Sequence, residues 1–142
     1  MSIAQDKTPE LWRSFMPYRK KIKHAIGTDL YCVQIYDAAL DFNHFTADTI
    51  FEKWAAIEVS EYSDMPDDML PFTLTGGLYA VFDYVGRAAD FGDTWHYIFY
   101  EWLPASDYQV DTGEHFEILG SKYKNNDPTS KEEVWIPIRK KV

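Results

Sequence analysis

The alternation of apolar and polar positions divides the chain into helical and extended segments. Thr8-Pro9-Glu10 is typical of a helix start with Thr8 as the N-cap, and Pro17 is expected to kink or restart the helix that follows. A second helix is predicted from Asp93, which caps it, to Pro104, which closes it. Its apolar residues follow the spacing of a helix with one buried face: Trp95, Ile98, Phe99, Trp102 and Leu103.

Strands are predicted where β-branched and aromatic residues cluster or alternate with polar ones. The segments are 30–36, 51–60, 78–85, 115–123 and 134–139, with 70–74 as a further short candidate. Gly27-Thr28-Asp29 is interpreted as a turn, and Pro137 indicates that the last strand lies at a sheet edge or contains a bulge. The sequence therefore predicts an α+β fold with a mostly antiparallel sheet.

The predicted elements occur in two similar series, about 8–60 and about 70–141, within a single domain spanning 1–142. Each helical stretch ends in an apolar pair followed by proline, FMP or WLP, and after a linker come a glycine (Gly27 or Gly113) and a strand. Two such halves, once paired, are expected to place both helices on one face of the sheet. A groove between the halves is then the natural ligand site.

Charge and composition exclude several functional classes. The chain of 142 residues carries a formal net charge of −9, the opposite of what a nucleic-acid backbone requires. One cysteine excludes an intrachain disulfide, and no signal peptide or membrane-spanning run is recognisable, so a soluble, cytoplasmic protein is expected. The unusual feature is the aromatic content of 17%, which suits either a tyrosine-rich core or a site for flat or cationic ligands.

Two carboxylates that interrupt apolar strands are candidate site residues. Glu117 lies between Phe116 and Ile118, and Glu58 shares one face of its strand with Trp54. The pattern alone favours a solvent-facing Glu117; the alternative is a groove in which the carboxylate attracts a cation or acts as a base. If Glu58 and Glu117 share a cleft, each raises the pKa of the other, so one becomes an acid near neutral pH.

Five aromatic residues are candidate walls for the same groove: Tyr31, Tyr36, Trp54, Tyr100 and Trp102. Core packing or simple exposure is the alternative for each, and for Trp102 the core is favoured. The four histidines and Cys32 show no metal-ligand spacing, so no metal site is predicted. No nucleotide or dinucleotide motif occurs either, so no cofactor is predicted.

Seven segments, in order, resemble the GyrI-like (gyrase-inhibitor-like) small-molecule-binding domain, which also forms the effector-binding half of AraC-type activators and of multidrug-sensing regulators. The segments cover nearly the whole chain: LWRSFMPYRKKI, DLYCVQIYD, FEKWAAIEV, LYAVFDYVG, YIFYEWLPASDY, HFEIL and EEVWIPI. The specific motifs are WLPxS, the FE pair in the strand that follows it, and the terminal WIPI.

The resemblance implies two pseudo-symmetric βαββ repeats with a groove between them for bulky, often aromatic and cationic compounds. It also implies that the Glu of the FE pair, Glu117, is the acidic residue in that groove. Two departures stand out: residues 1–8 are polar, so the first repeat is expected to lack its leading strand, and no helix-turn-helix is recognisable. A second copy could cover the open sheet edge, which makes a homodimer one expected assembly.

The favoured hypothesis is a stand-alone, non-enzymatic protein that binds a hydrophobic aromatic or cationic small molecule and no nucleic acid or membrane. Its role would be transcriptional regulation or the sequestration of drugs and toxins; the effector half of a longer protein is also consistent with the pattern. One alternative is a hydrolase of strained, cyclopropane-bearing natural products in which Glu117 or Glu58 activates water. Another is a protein that modulates DNA gyrase.

Overall fold

Six strands form an open antiparallel sheet in the computed structural model, which describes residues 1–142. The order is β2-β1-β5-β6-β3, and β4 pairs with the carboxyl end of β6. The strands are β1 (Ala25–Ile35), β2 (Glu52–Val59), β3 (Tyr79–Val85), β4 (Tyr108–Val110), β5 (His115–Leu119) and β6 (Lys131–Lys140). The predicted α+β class and mostly antiparallel sheet are confirmed.

Two helical segments pack on the sheet. Helix α1 (Thr8–Phe15) continues as a 3-10 helix over Met16–Lys21, so the change in winding falls beside Pro17, as predicted. The second segment, 92–105, joins α2 (Gly92–His96), a π-helical stretch (Tyr97–Trp102) and α3 (Leu103–Ala105).

Both predicted caps are wrong. The position before α1 is Lys7, and the Thr8 hydroxyl accepts a hydrogen bond from the Lys53 amine at 2.9 Å. The second segment starts one residue before Asp93, with no side-chain cap. It also runs one residue past Pro104, because a proline at the start of the short α3 needs no hydrogen-bonded N–H.

The two faces of the sheet differ in what covers them. Cys32 lies opposite Glu117, and Glu117 lies opposite Val134, so these side chains share one face. Val134 belongs to the main hydrophobic core with Ile98 and Leu103 of the second helical segment, so we call this the helical face. The opposite face carries Val33, Phe116 and Trp135, which are paired across β1, β5 and β6.

Some predicted boundaries are wrong for local reasons. Gly27-Thr28-Asp29 is not a separate turn: it lies within β1, where Gly27 has φ of +68° and the pairing register shifts between Ala25 and Leu30. The segment 70–74 contains no strand, and β5 ends at Leu119. The three-residue strand β4 gives too short a pattern to be recognised in the sequence.

Pro137 lies in an interior strand, because β6 pairs with β5 on one side and β3 on the other. It occupies the point where β6 changes partner from β5 to β4, and its carbonyl accepts from the Asp111 N–H at 2.9 Å. Because proline has no N–H to donate, its position at this change of partner costs no hydrogen bond of the ladder. The edge interpretation of Pro137 is therefore wrong, and the bulge interpretation is not supported, because β6 pairs with β3 through Pro137 without a shift of register.

The two halves of the chain differ at two positions. In the second half, β3 precedes the helical segment and pairs with the last strand, β6. In the first half, residues 1–7 contain no strand before α1, so the last strand, β2, lies at the edge of the sheet. The second half also has the short strand β4 between its helical segment and β5, where the first half has no separate strand.

The main core is expected to depend on Ile98, whose exposed fraction is 0%. Ile98→Ala should lower the free energy of unfolding by about 2–5 kcal/mol, because it removes buried methylene groups and leaves a cavity. Tyr97→Ala is the control, since Tyr97 is 48% exposed, and should cost less than about 1 kcal/mol. Urea denaturation measures both; equal losses would contradict this packing.

Candidate functional site

Glu117 occupies the centre of the helical face. Its strand, β5, lies between β1 of the first half and β6 of the second. Helix α1 covers the β1–β2 side, where Trp12 approaches Cys32, and the second helical segment covers the β6–β3 side. Glu117 therefore lies at the seam of the two halves, between the areas covered by the two helices.

The Glu117 side chain is half-buried, with one hydrogen-bond partner and no ion pair. Gln34 Nε2 donates to Glu117 Oε1 at 3.3 Å and lies 3.5 Å from Cys32 Sγ. None of the salt bridges of the protein includes Glu117. Burial raises the pKa of Glu117 to about 7; the charge of Lys53 opposes this shift, and that of Glu132 adds to it.

Glu132 is a second carboxyl on the helical face, near the start of β6. Burial raises its pKa to about 7 as well, again opposed by Lys53. The charge of Glu132 raises the pKa of Glu117 further. The Lys53 amine, whose charge lowers the pKa of both carboxyls, donates a hydrogen bond to the Thr8 hydroxyl. A pair of partly protonated carboxyls at neutral pH is a feature of binding and catalytic sites.

Glu58 is not the carboxyl that neighbours Glu117. Glu58 is exposed, and the pairing of Tyr31 with Ala56 places it on the face opposite Glu117. The expectation that Glu58 and Glu117 share one cleft is therefore wrong. Glu132 was missed, although alternation from the buried Val134 and Ile136 places it on the core face.

Two further aromatic residues lie near this region: Trp12 of α1, near Cys32, and Tyr123 of the β5–β6 loop, near Glu132. Burial raises the pKa of the Cys32 thiol and the Trp12 indole slightly opposes this shift, whereas the pKa of Tyr123 is raised by burial and then by the charge of Glu132. Neither residue was predicted. Trp12 is one of several apolar residues of an amphipathic helix, and Tyr123 lies in a loop, so no sequence pattern marks either of them as a site residue.

Three of the predicted wall residues pack on the helical face, and one of them, Tyr36, lies close enough to Glu117 for the carboxylate to add to the effect of burial in raising the tyrosine's pKa. Tyr36 belongs to an aromatic cluster beneath the second helical segment: Tyr36, Phe42, Phe45, Phe51, Trp95, Phe99 and His115. Trp102 packs edge-to-face on Phe82 at 5.1 Å, and Tyr100 is 39% exposed beside Trp95 and His96. Much of the aromatic content therefore serves packing, and burial lowers the pKa of His115 in this cluster to about 3.

The remaining predicted residues, Tyr31, Trp54 and Glu58, line a different cavity. Its volume is about 1240 Å³, and it follows the free edge of β2 between α1 and the loop 60–74 and extends onto the opposite face. The ring of Phe72 packs against Trp54 at 4.9 Å. Glu117 lines neither this cavity nor the cavity of about 790 Å³ beside the N-terminus. The predicted residues thus fall into two separate sites.

Two further searches of the structure are negative. No group of three or more His, Cys, Asp or Glu side chains is arranged to hold a metal ion. No helix has the length and apolar character required to span a bilayer.

Comparison with known proteins identifies one family. Residues 2–139 match the family model described as the GyrI-like small molecule binding domain, which is nearly the whole chain. No curated protein matches the chain. The match agrees with the family that the sequence resembles.

The raised pKa of Glu117 should make the protein less stable as the pH rises. An ordinary Glu pKa is 4.5, so from about pH 4.5 to about pH 7 the folded state holds more protons than the unfolded state. The stabilisation is complete below about pH 4.5 and is lost as the pH rises through about 7.

The unfolding free energy of the wild type should fall between pH 4.5 and pH 8, and in Glu117→Gln this fall should be smaller by on the order of 2 kcal/mol. Urea unfolding over this pH range measures it. Glu58→Gln, an exposed carboxylate on the other face, is the control and should keep the wild-type profile. A Glu117→Gln profile parallel to the wild type would contradict the assignment.

Proposed function

We propose that this chain, which belongs to the family of GyrI-like small-molecule-binding domains, binds bulky aromatic cations and that Glu117 supplies the negative charge. The family membership supports small-molecule binding in general. The cationic and aromatic character of the ligand is our inference from the residues around Glu117.

The observation that carries the proposal is a half-buried carboxyl in the middle of the sheet with no cationic partner. Gln34 is its only hydrogen-bond donor, and no Lys, Arg or His nitrogen lies within 4.0 Å. A charge in this environment is costly unless it is paired, which is why the pKa of Glu117 rises. A bound cation would pair the carboxylate and displace its proton.

The neighbouring groups fit the same ligand. Tyr36 offers an aromatic ring close to Glu117 and Tyr123 one close to Glu132, and rings attract both flat molecules and cations. Glu132 supplies a second acidic group, so the site is suited to one or two positive charges. Lys53 is the nearest cation, and its hydrogen bond to Thr8 holds it on the α1 side.

We extend the proposal to a binding protein that sequesters toxic compounds or senses them for transcriptional control. Both roles require binding without turnover. We also place the protein in the cytoplasm, where the unpaired thiol of Cys32 would remain reduced.

The first prediction concerns ligand charge. Tryptophan fluorescence of the purified protein, titrated with flat aromatic cations and their neutral isosteres, should show saturable binding that favours the cations. Glu117→Gln should weaken binding of the cations by about 1–2 kcal/mol, or about 5- to 30-fold in Kd, and that of the isosteres much less. Cation affinity should also rise between pH 6 and pH 8 as the Glu117 carboxyl loses its proton.

Glu58→Gln is the matched control, because it removes the same charge from the opposite face. It should leave cation binding within about twofold of the wild type. Equal losses for cations and isosteres in Glu117→Gln, or equal effects of the two substitutions, would overturn the role of Glu117.

The carboxyl pair also favours a second candidate function, hydrolysis of strained rings. With a pKa of about 7 for both Glu117 and Glu132, one protonated and one ionised carboxyl coexist at neutral pH. The ionised group takes a proton from water as the water oxygen bonds to a ring carbon; the strained C–C bond breaks, and the other group protonates the carbon released.

This candidate predicts turnover that depends on both carboxyls. An activated cyclopropane, incubated with the protein and followed by mass spectrometry, should gain the mass of one water. Glu117→Gln and Glu132→Gln should each slow this reaction by about 100-fold or more, as removal of a general acid or base does. Absence of the hydrated product in the wild type, or its undiminished formation in both variants, would exclude the hydrolase.

A further inference from the structure

The outer edge of β2 is free, and the cavity of about 1240 Å³ runs along it. The Ser60 N–H donates to the His24 carbonyl, on the β1 side, so the backbone N–H and C=O groups of the even-numbered residues of β2 point towards β1. The backbone N–H and C=O groups of Lys53, Ala55 and Ile57 therefore point the other way, into the cavity. No backbone or side-chain group of the protein forms a hydrogen bond with them.

One rung of a strand ladder is already present at the start of this edge. The Met1 amine donates to the Phe51 carbonyl at 2.9 Å, and the Phe51 N–H donates to the Met1 carbonyl at 2.9 Å. Reciprocal bonds of this kind form the hydrogen-bonded pair of an antiparallel ladder. Continued along β2, the same ladder would next reach the free groups of Lys53.

In the second half of the chain, the place that corresponds to the free edge of β2 is filled by a strand. There β3 pairs antiparallel with β6, the strand that corresponds to β2. Ala80 and Tyr84 of β3 are buried towards the second helical segment, and Val81 faces the opposite side. The cavity beside β2 has the corresponding walls, with Leu11 and Phe15 of α1 on one side and Trp54 and Phe72 on the other.

The loop 60–74 limits the size of the occupant. The Tyr18 hydroxyl donates to Asp68 at 3.0 Å, and the Tyr62 hydroxyl donates to the Phe72 carbonyl at 3.0 Å. These contacts hold the loop outside the edge of β2. The space that remains between β2, α1 and the loop is a cavity of about 1240 Å³, a size that suits one extended segment rather than the sheet edge of a second folded copy.

We propose that the cleft along β2 binds an extended peptide segment of another protein, paired antiparallel with β2 and carrying apolar side chains on both of its faces. Backbone hydrogen bonds to an exposed edge supply affinity in this mode of recognition, and side-chain pockets supply specificity. This site is separate from Glu117 and does not depend on the ligand proposed for it.

The test uses the β3 sequence as a tethered probe. The segment 78–85 is inserted directly before Met1 of the full chain, behind a new initiator methionine. The register of the Met1–Phe51 pair then places the copies of Tyr84, Phe82 and Ala80 opposite Lys53, Ala55 and Ile57, on the helical face. The tether gives an effective concentration in the millimolar range, so a site that accepts strands should be occupied.

Amide hydrogen exchange is the readout. In the chain alone, the amides of Lys53, Ala55 and Ile57 should exchange at least about tenfold faster than those of Trp54 and Ala56, which bond to β1. The tethered strand should slow the first set at least about tenfold and leave the second set unchanged. A control segment with proline in place of its Phe and its single Ala lacks two of the three N–H groups that would face β2, and should give no protection.

Two results would overturn the proposal. Slow exchange of the three amides in the chain alone would mean that the edge is already covered, for example by a second copy. Fast exchange that the tethered strand leaves unchanged would mean that the cleft does not accept a strand. The same conclusion would hold if an added aromatic cation protected these amides and the tethered strand did not. Glu117→Gln should leave both exchange patterns unchanged, so this test is independent of the proposed small-molecule site.

Discussion

The pairing of β5 between β1 and β6 is the constraint on which the rest of the structure depends. It is the only connection within the sheet between the first half of the chain and the second. It also decides which side chains face the helices, because a slip of one residue would reverse the two faces of β5. The register of Cys32 with Glu117 and of Glu117 with Val134 thus brings an acidic side chain to the centre of the molecule.

Burial of this carboxyl has a cost that the fold reduces only in part. Gln34 supplies one hydrogen bond, and Lys53 is near enough to lower the pKa but too far away to form a salt bridge. The second carboxyl, Glu132, adds to the cost. A fold selected for stability alone would place apolar residues here, and this cost is the reason that we propose the polar cluster as the binding site.

Much of the fold could be predicted from the sequence because its hydrophobic pattern is regular. The buried face of the second helical segment and the strands β2 and β3 follow from period alone. Gly27 and Pro137 were harder to interpret, because glycine and proline usually mark turns or strand edges. Here both lie inside long strands, β1 and β6, which are held by pairing with their neighbours. Strand β4 is held by its pairing with β6 and has no pattern of its own.

The candidate site was only partly predictable, because its members come together through register. Glu117 could be identified from an acidic residue in an apolar strand and from the family resemblance. Its neighbourhood could not: Glu58 and Glu132 both occupy strands, and only the pairing of those strands shows which one shares a face with Glu117. The aromatic residues were equally ambiguous, because the same composition serves the Tyr36–His115 cluster and the cavity beside Trp54.

The two helical segments are anchored unequally, and this affects access to Glu117. The second segment contributes Ile98, Phe99 and Leu103 to the main core, whereas α1 has one buried residue, Phe15. The first half has no strand beside β2 that would support α1 as β3 supports the second segment. Local opening requires least free energy where fewest apolar contacts are lost, so α1 is the element expected to move when a ligand reaches the buried carboxyls.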